Sequence, residues 1–207
     1  MRDQTIGGFL DELAARVPAP GGGAVAALHG ALAAALLAMV ARYSDGPRYA
    51  AHAELISAVL AESEDLRAEC VRLAEADAAA FGAVGAAYAL PREGEAVRAH
   101  RSAAIAAALA GAAEPPAQVA AVAGRLVRLA EMLLPVANRS VVTDVAAAAE
   151  SARAAAATAR LNVEVNLSGL ADQVLRERLQ AAIAGVDDVL TSADAVTAAV
   201  RAGIGAA

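Results

Sequence analysis

The chain has 207 residues, 58% of them hydrophobic but only 2% aromatic, so alanine supplies most of the filling of what the length allows to be one good-sized core. A net charge of −6, with no basic run and almost no stacking rings, excludes a nucleic-acid footprint. All the basic residues are arginine, and a chain without lysine cannot form a lysine Schiff base.

Thr5 reads as the cap of a short helix from Ile6 to Arg16. Pro18-Ala19-Pro20-Gly21-Gly22-Gly23 then stops that helix and opens an alanine-rich run to about Tyr43. The first turn of the new helix has unpaired N–H groups and a partial positive charge, and glycine lets other atoms approach it. The sequence leaves two readings for this mouth, a tight packing joint or a small anion-binding site. Gly21–Ala41 is long enough to span a bilayer, but its alanine content and amphipathic neighbours favour a buried central helix and no membrane.

Ser44-Asp45-Gly46-Pro47 reads as a turn. From Arg48 to Ala89 no proline interrupts, and apolar residues recur at helical spacing. A straight helix of that length measures roughly 60 Å. A compact chain of this size is only about 40–45 Å across. The helix is therefore expected to bend near Gly82 and Gly85 or to protrude, and a protruding arm would pack against a second subunit. Further helices are expected at about Glu93–Ala113, from Pro115-Pro116 to about Ala137, at Val141–Leu167, and from about Leu170 to Val200 after a Ser168-Gly169 joint. The expected architecture is all-α, a single-domain bundle of about seven to eight helices over residues 1–207, one of them long.

Cys70 is the single cysteine and allows no internal disulfide, which fits a cytoplasmic location. The segment after Met1–Gln4 is amphipathic and does not read as a secretory leader. His29, His52 and His100 form no metal-ligand spacing, and no metal is expected. His29 reads as a core residue, the other two as surface.

Asp77 is the anomaly. It lies on the apolar stripe of the long helix between Leu73 and Ala80. A desolvated carboxyl there has a raised pKa suited to proton transfer, unless an ion pair makes it structural. Asp144, Ser151, Asn162 and Asn166 share one face of the Val141–Leu167 helix. The two amides either bind the edge of a flat heterocycle or lock two helices together. Asn138 stands at a helix break where it can cap either neighbour. Arg92, Arg98 and Arg101 form either a solvated face or a handhold for an anionic tail.

Together these residues resemble the cyclodeaminase/cyclohydrolase family of folate enzymes. The resemblance rests on Pro18–Gly23, the Asp-x-x-Ala-Phe run Asp77–Phe81, Leu90-Pro91-Arg92 with Arg101, the Asn138/Asp144 pair, and Asn162, Asn166 and Leu167. It covers the whole chain. It implies an all-α homodimer, a folate site between helices near the subunit interface, and no cofactor beyond the tetrahydrofolate substrate. It implies that Asp77 carries protons and that Gly21, Gly22 and Gly23 approach the ligand. Asn162 and Asn166 would hold the pterin edge, Asp144 would pair with its amino group or fix a neighbour, Asn138 would belong to the substrate-binding set, and Arg48 and Arg101 would hold the glutamate carboxylates. The reaction implied is formiminotetrahydrofolate cyclodeamination, with methenyltetrahydrofolate cyclohydrolase as the alternative. Two departures, Ala24 where the family has a hydroxyl and Pro47 where it has a basic residue, motivate a third reading, a dimeric helical scaffold without turnover.

Overall fold

The computed structural model describes residues 3–167, 169–170 and 172–205; Met1 and Ser168 lie outside them. The described residues form α-helices α1 (Ile6–Ala14), α2 (Gly22–Tyr43), α3 (Ala53–Ala89), α4 (Glu95–Leu133), α5 (Val142–Leu167), α6 (Gln173–Ile183) and α7 (Val186–Gly205). Short 3-10 turns at Pro47–His52 and Arg139–Val141 complete them, and no described residue is in a strand.

The all-α expectation holds, and α2 is its centre, packed against α3, α4 and α5. By length and composition α2 and α4 could each cross a membrane. Here both are laid into the bundle, and the alanines of α2 let its neighbours come close. A Cβ built on Gly30 would lie 2.7 Å from Cys70 Sγ, so a side chain here requires the buried thiol or the α2–α3 spacing to shift. Gly30 faces Cys70 and Gly23 faces Asp77, which makes α2 and α3 antiparallel neighbours in register.

The helix division differs from the sequence reading in two places. Pro115-Pro116 does not begin a helix; both prolines lie inside α4, which runs unbroken for 39 residues. An interior proline removes a hydrogen bond and crowds the carbonyl four residues back, at a cost of about 3 kcal/mol. Burial of Ala112, Ala113, Pro115, Pro116 and Ala117 against the core offsets that cost. At the C-terminus, one expected helix becomes α6 and α7, parted at Ala184-Gly185. Glycine is a poor helix former, and the break lets α6 rest mainly on α4 while α7 packs mainly on α5.

The long helix begins after the 3-10 turn, at Ala53, and passes Gly82 and Gly85 as continuous helix. Its last third runs past the start of α2, and residues 91–100 are all exposed. From Asp77 to Ala89 α3 rises about 18 Å past the first turn of α2. At the far end of α2 a clasp closes the bundle. Ser44 Oγ donates to Val40 O (2.8 Å), and Asn138 N donates to Ser44 Oγ (2.8 Å). Asn138 Nδ2 donates to Tyr43 O (2.8 Å), while its Oδ1 accepts from Ser140 N (3.0 Å).

Candidate active site

The α2 mouth has no side-chain cap of its own, because Gly21 stands at the cap position. Asp77 fills that role from α3: the Ala24 N–H donates to its carboxylate. A Cβ on Gly23 would sit 2.0 Å from Asp77 Oδ1, 2.4 Å from Cγ and 2.6 Å from Oδ2. The carboxyl therefore occupies the space that any other residue at position 23 would claim. The two readings of the glycine run merge here. The mouth is a tight joint, and the anion it receives is the protein's own.

Asp77 is half-buried. Burial pushes its pKa above the ordinary aspartate value, and the Ala24 N–H pulls in the opposite direction without cancelling the rise. Among the described residues no ion pair holds it. This is the electrostatic profile of a carboxyl that holds its proton more readily than an ordinary aspartate does.

Asn162 completes the mouth. Its Nδ2 lies 3.6 Å from where a Gly22 Cβ would be, an ordinary contact. Nδ2 donates back to Thr158 O (2.8 Å), and Asn166 Nδ2 donates to Asn162 O (2.8 Å). Each amide thus has one hydrogen anchored on its own helix, which fixes the side chain. Gly21 has open space at its Cβ position, so of the three glycines only Gly23 is demanded by crowding.

The remaining predicted site residues stand elsewhere. Arg48, Asn138 and Asp144 gather at the opposite end of α2 and α5, about 27–30 Å from Asp77 by helical rise. Arg48 lies over the Tyr49 ring at 4.6 Å. Asn138 belongs to the clasp, with both its amide nitrogen and its oxygen bound to backbone. One chain does not bring it to Asn162 and Asn166. Arg101 is on α4, where it donates to Tyr88 O (3.0 Å) with its guanidinium 5.7 Å from the Tyr88 ring. His29 is not deep core; it lines an apolar groove of about 510 Å³ between α1, α2 and α3. His52 and His100 are exposed. Sequence reasoning passed over Ser44 as a turn residue, although a buried serine before a glycine turn is a signal of local hydrogen bonding.

Of the two departures, Ala24 stands at the mouth itself. Its methyl is fully buried, and what it presents to Asp77 is a backbone N–H that any non-proline residue retains. Pro47 begins the exposed 3-10 turn at the other end.

Fold and site together define an all-helical protein with a half-buried carboxyl, held in no ion pair among the described residues, at a glycine-opened helix mouth. A family model described as formiminotransferase-cyclodeaminase matches residues 5–185. A methenyltetrahydrofolate cyclohydrolase from Methylorubrum extorquens is 38% identical over 84% of this chain and 85% of its own length. A formimidoyltransferase-cyclodeaminase from Mus musculus is 32% identical over 85% of this chain, which spans 33% of that longer protein. The crystal structure of a formiminotetrahydrofolate cyclodeaminase from Thermotoga maritima superimposes with a TM-score of 0.86 at 26% identity, covering 98% of both chains. This chain belongs to the formiminotransferase-cyclodeaminase family.

Proposed function

We propose that this protein acts on the one-carbon unit between N5 and N10 of tetrahydrofolate, and that it hydrolyses the methenyl bridge. The observation that carries the reading is the carboxyl of Asp77, desolvated yet unpaired, beside fixed amides at the α2 mouth. Similarity over nearly the whole length to a methenyltetrahydrofolate cyclohydrolase supports hydrolysis over deamination. Asp77 takes a proton from water as the oxygen bonds to the bridging carbon. It returns a proton to N5 as the carbon–N5 bond breaks. The hydroxyl then releases its own proton to solvent and becomes the formyl carbonyl, giving 10-formyltetrahydrofolate. Asn162 and Asn166 orient the pterin edge, and Arg101 receives the glutamate end.

The close structural match to a cyclodeaminase supports a second reading on the same site. There N10 attacks the carbon of the protonated formimino group (N5–CH=NH2+) of 5-formiminotetrahydrofolate, Asp77 accepts the N10 proton and passes it to the amino group, and ammonia leaves with formation of the methenyl cation. Both reactions pass through a tetrahedral carbon and need a group that serves first as base and then as acid.

A homodimer belongs to this proposal. The Arg48/Asp144 end lies too far from Asp77 to serve one ligand within a chain, and an antiparallel second copy brings its own such end to the mouth. Purified protein is to be assayed with 5,10-methenyl- and 5-formimino-tetrahydrofolate. Loss of the methenyl absorbance with formation of the 10-formyl product supports hydrolysis. Ammonia release from the formimino substrate supports the second reading. Folate binding without turnover of either leaves the scaffold.

A further inference from the structure

The apolar stripe of α3 does not end where its cover ends. Leu66, Cys70, Leu73 and Ala74 are buried beneath neighbouring helices. Asp77 stands opposite the first turn of α2, and beyond it α2 contributes nothing more. The same face continues through Phe81, Val84 and Tyr88, at four, seven and eleven residues from Asp77, all within a narrow arc of the helix. Phe81 is 51% exposed and Tyr88 48%, although a bundle with 2% aromatics has few rings to leave in water. Arg101 closes this strip over the Tyr88 ring. Its Nε is buried without a hydrogen-bond partner, and no carboxylate pairs with it among the described residues.

We infer that Phe81 is the platform for the aminobenzoyl ring of the folate and sets the preference for substrates that carry it. The inference rests on the proposed folate reading and adds a residue to it. In the substrate that ring is bonded directly to N10, one of the two reacting nitrogens. With N5 and N10 at Asp77, the ring must lie about one helical turn away. Phe81 is displaced along α3 by about 6 Å, and the Tyr88 level with Arg101 by about 16 Å. The order along the strip is carboxyl, ring, small apolar gap, cation. The order along the ligand is reacting nitrogens, aryl ring, amide, carboxylates. A purely apolar subunit contact would leave Arg101 without an anion, whereas the glutamate end supplies one. Stacking of a flat ring on an aromatic side chain supplies binding that is present before and during the reaction, so it acts on KM and not on kcat.

Phe81→Ala, Phe81→Tyr and Arg101→Ala are compared on the folate that the wild-type protein turns over and on its pteroate analogue, which keeps the ring and lacks the glutamate. Phe81→Ala is expected to raise KM on the order of 10-fold on both substrates, with kcat changed by less than about 3-fold. Phe81→Tyr restores the wild-type KM. Arg101→Ala raises KM on the folate alone. A Phe81→Ala KM within about 2-fold of wild type, beside an active wild-type protein, overturns the platform and leaves the folate reading standing. Conversion of a dimer to a monomer by Phe81→Ala, with kcat lost, assigns the strip to a subunit contact and also overturns it. A wild-type protein that neither binds nor turns over these folates overturns both inferences together.

Discussion

Gly23→Ala tests the site more sharply than removal of the acid itself. The added methyl carbon would fall 2.0 Å from Asp77 Oδ1 and within 2.6 Å of the other two carboxyl heavy atoms. Ordinary contact requires the carboxyl to retreat by more than about 1 Å, and a misplacement of that size in a reacting group costs on the order of 100-fold in rate. The helix itself gains from the change, since alanine is favoured over glycine by up to about 1 kcal/mol within a helix. The variant is therefore expected to fold, to keep its melting temperature within a few degrees, and to lose on the order of 100-fold in kcat. Its pH–rate profile moves to lower pH, because the displaced carboxyl is more hydrated and its pKa falls back toward the ordinary range. Gly22→Ala is the matched control: its new carbon meets Asn162 Nδ2 at 3.6 Å, an ordinary contact, and activity stays within a few-fold of wild type. Steady-state kinetics and calorimetry on the three proteins decide the matter. A Gly23→Ala enzyme with wild-type kcat and an unshifted profile would refute both the placement of Asp77 and its role.

Asp77→Asn is expected to lower kcat by about 100- to 10,000-fold, the usual contribution of a general acid–base group. Its stability should respond in the opposite sense to a structural ion pair. The folded-state pKa of Asp77 is raised, so its stabilising contribution is present at acid pH and is lost as pH rises through the folded value. At neutral pH the amide removes a desolvated charge, and the melting temperature holds or rises; a marked fall would mark Asp77 as structural. Asn138→Ala removes the Tyr43 O and Ser140 N bonds of the clasp and is expected to cost about 1–3 kcal/mol in denaturant unfolding. If that variant is as stable as wild type, the clasp carries no weight. Cys70, whose thiol burial pushes up to about 12, should resist thiol reagents in the native protein and react only on unfolding. Rapid native labelling would contradict its enclosure.

The helical class and the odd carboxyl were legible because both depend on periodicity. Alanine content speaks for close-packed helices, and an aspartate on the Leu66–Leu73 stripe stands out wherever the partner helix lies. Periodicity reports a face but not a depth along the axis. Asn162 and Asp144 share a seam, yet about 27 Å of helix separates them, and only the packing of α5 on α2 shows which one stands at the Gly22–Gly23 mouth. The proline pair misled for another reason. Its local rule is sound, but burial of the pair with Ala112, Ala113 and Ala117 outweighs the missing hydrogen bonds. Gly185, a single glycine in an otherwise helical run, gave too weak a local signal to show that the chain turns there.

The carboxylate that terminates the central helix is lent by a neighbour, and this has a consequence for how the molecule tolerates change. Proton loss at position 77 leaves a partly buried charge against the opening turn of α2, and the Ala24 N–H offsets only part of its cost. Acidity and architecture share one oxygen pair. Variation that loosens the joint is felt at once as altered acidity, and variation that retunes the acidity is felt as a looser joint.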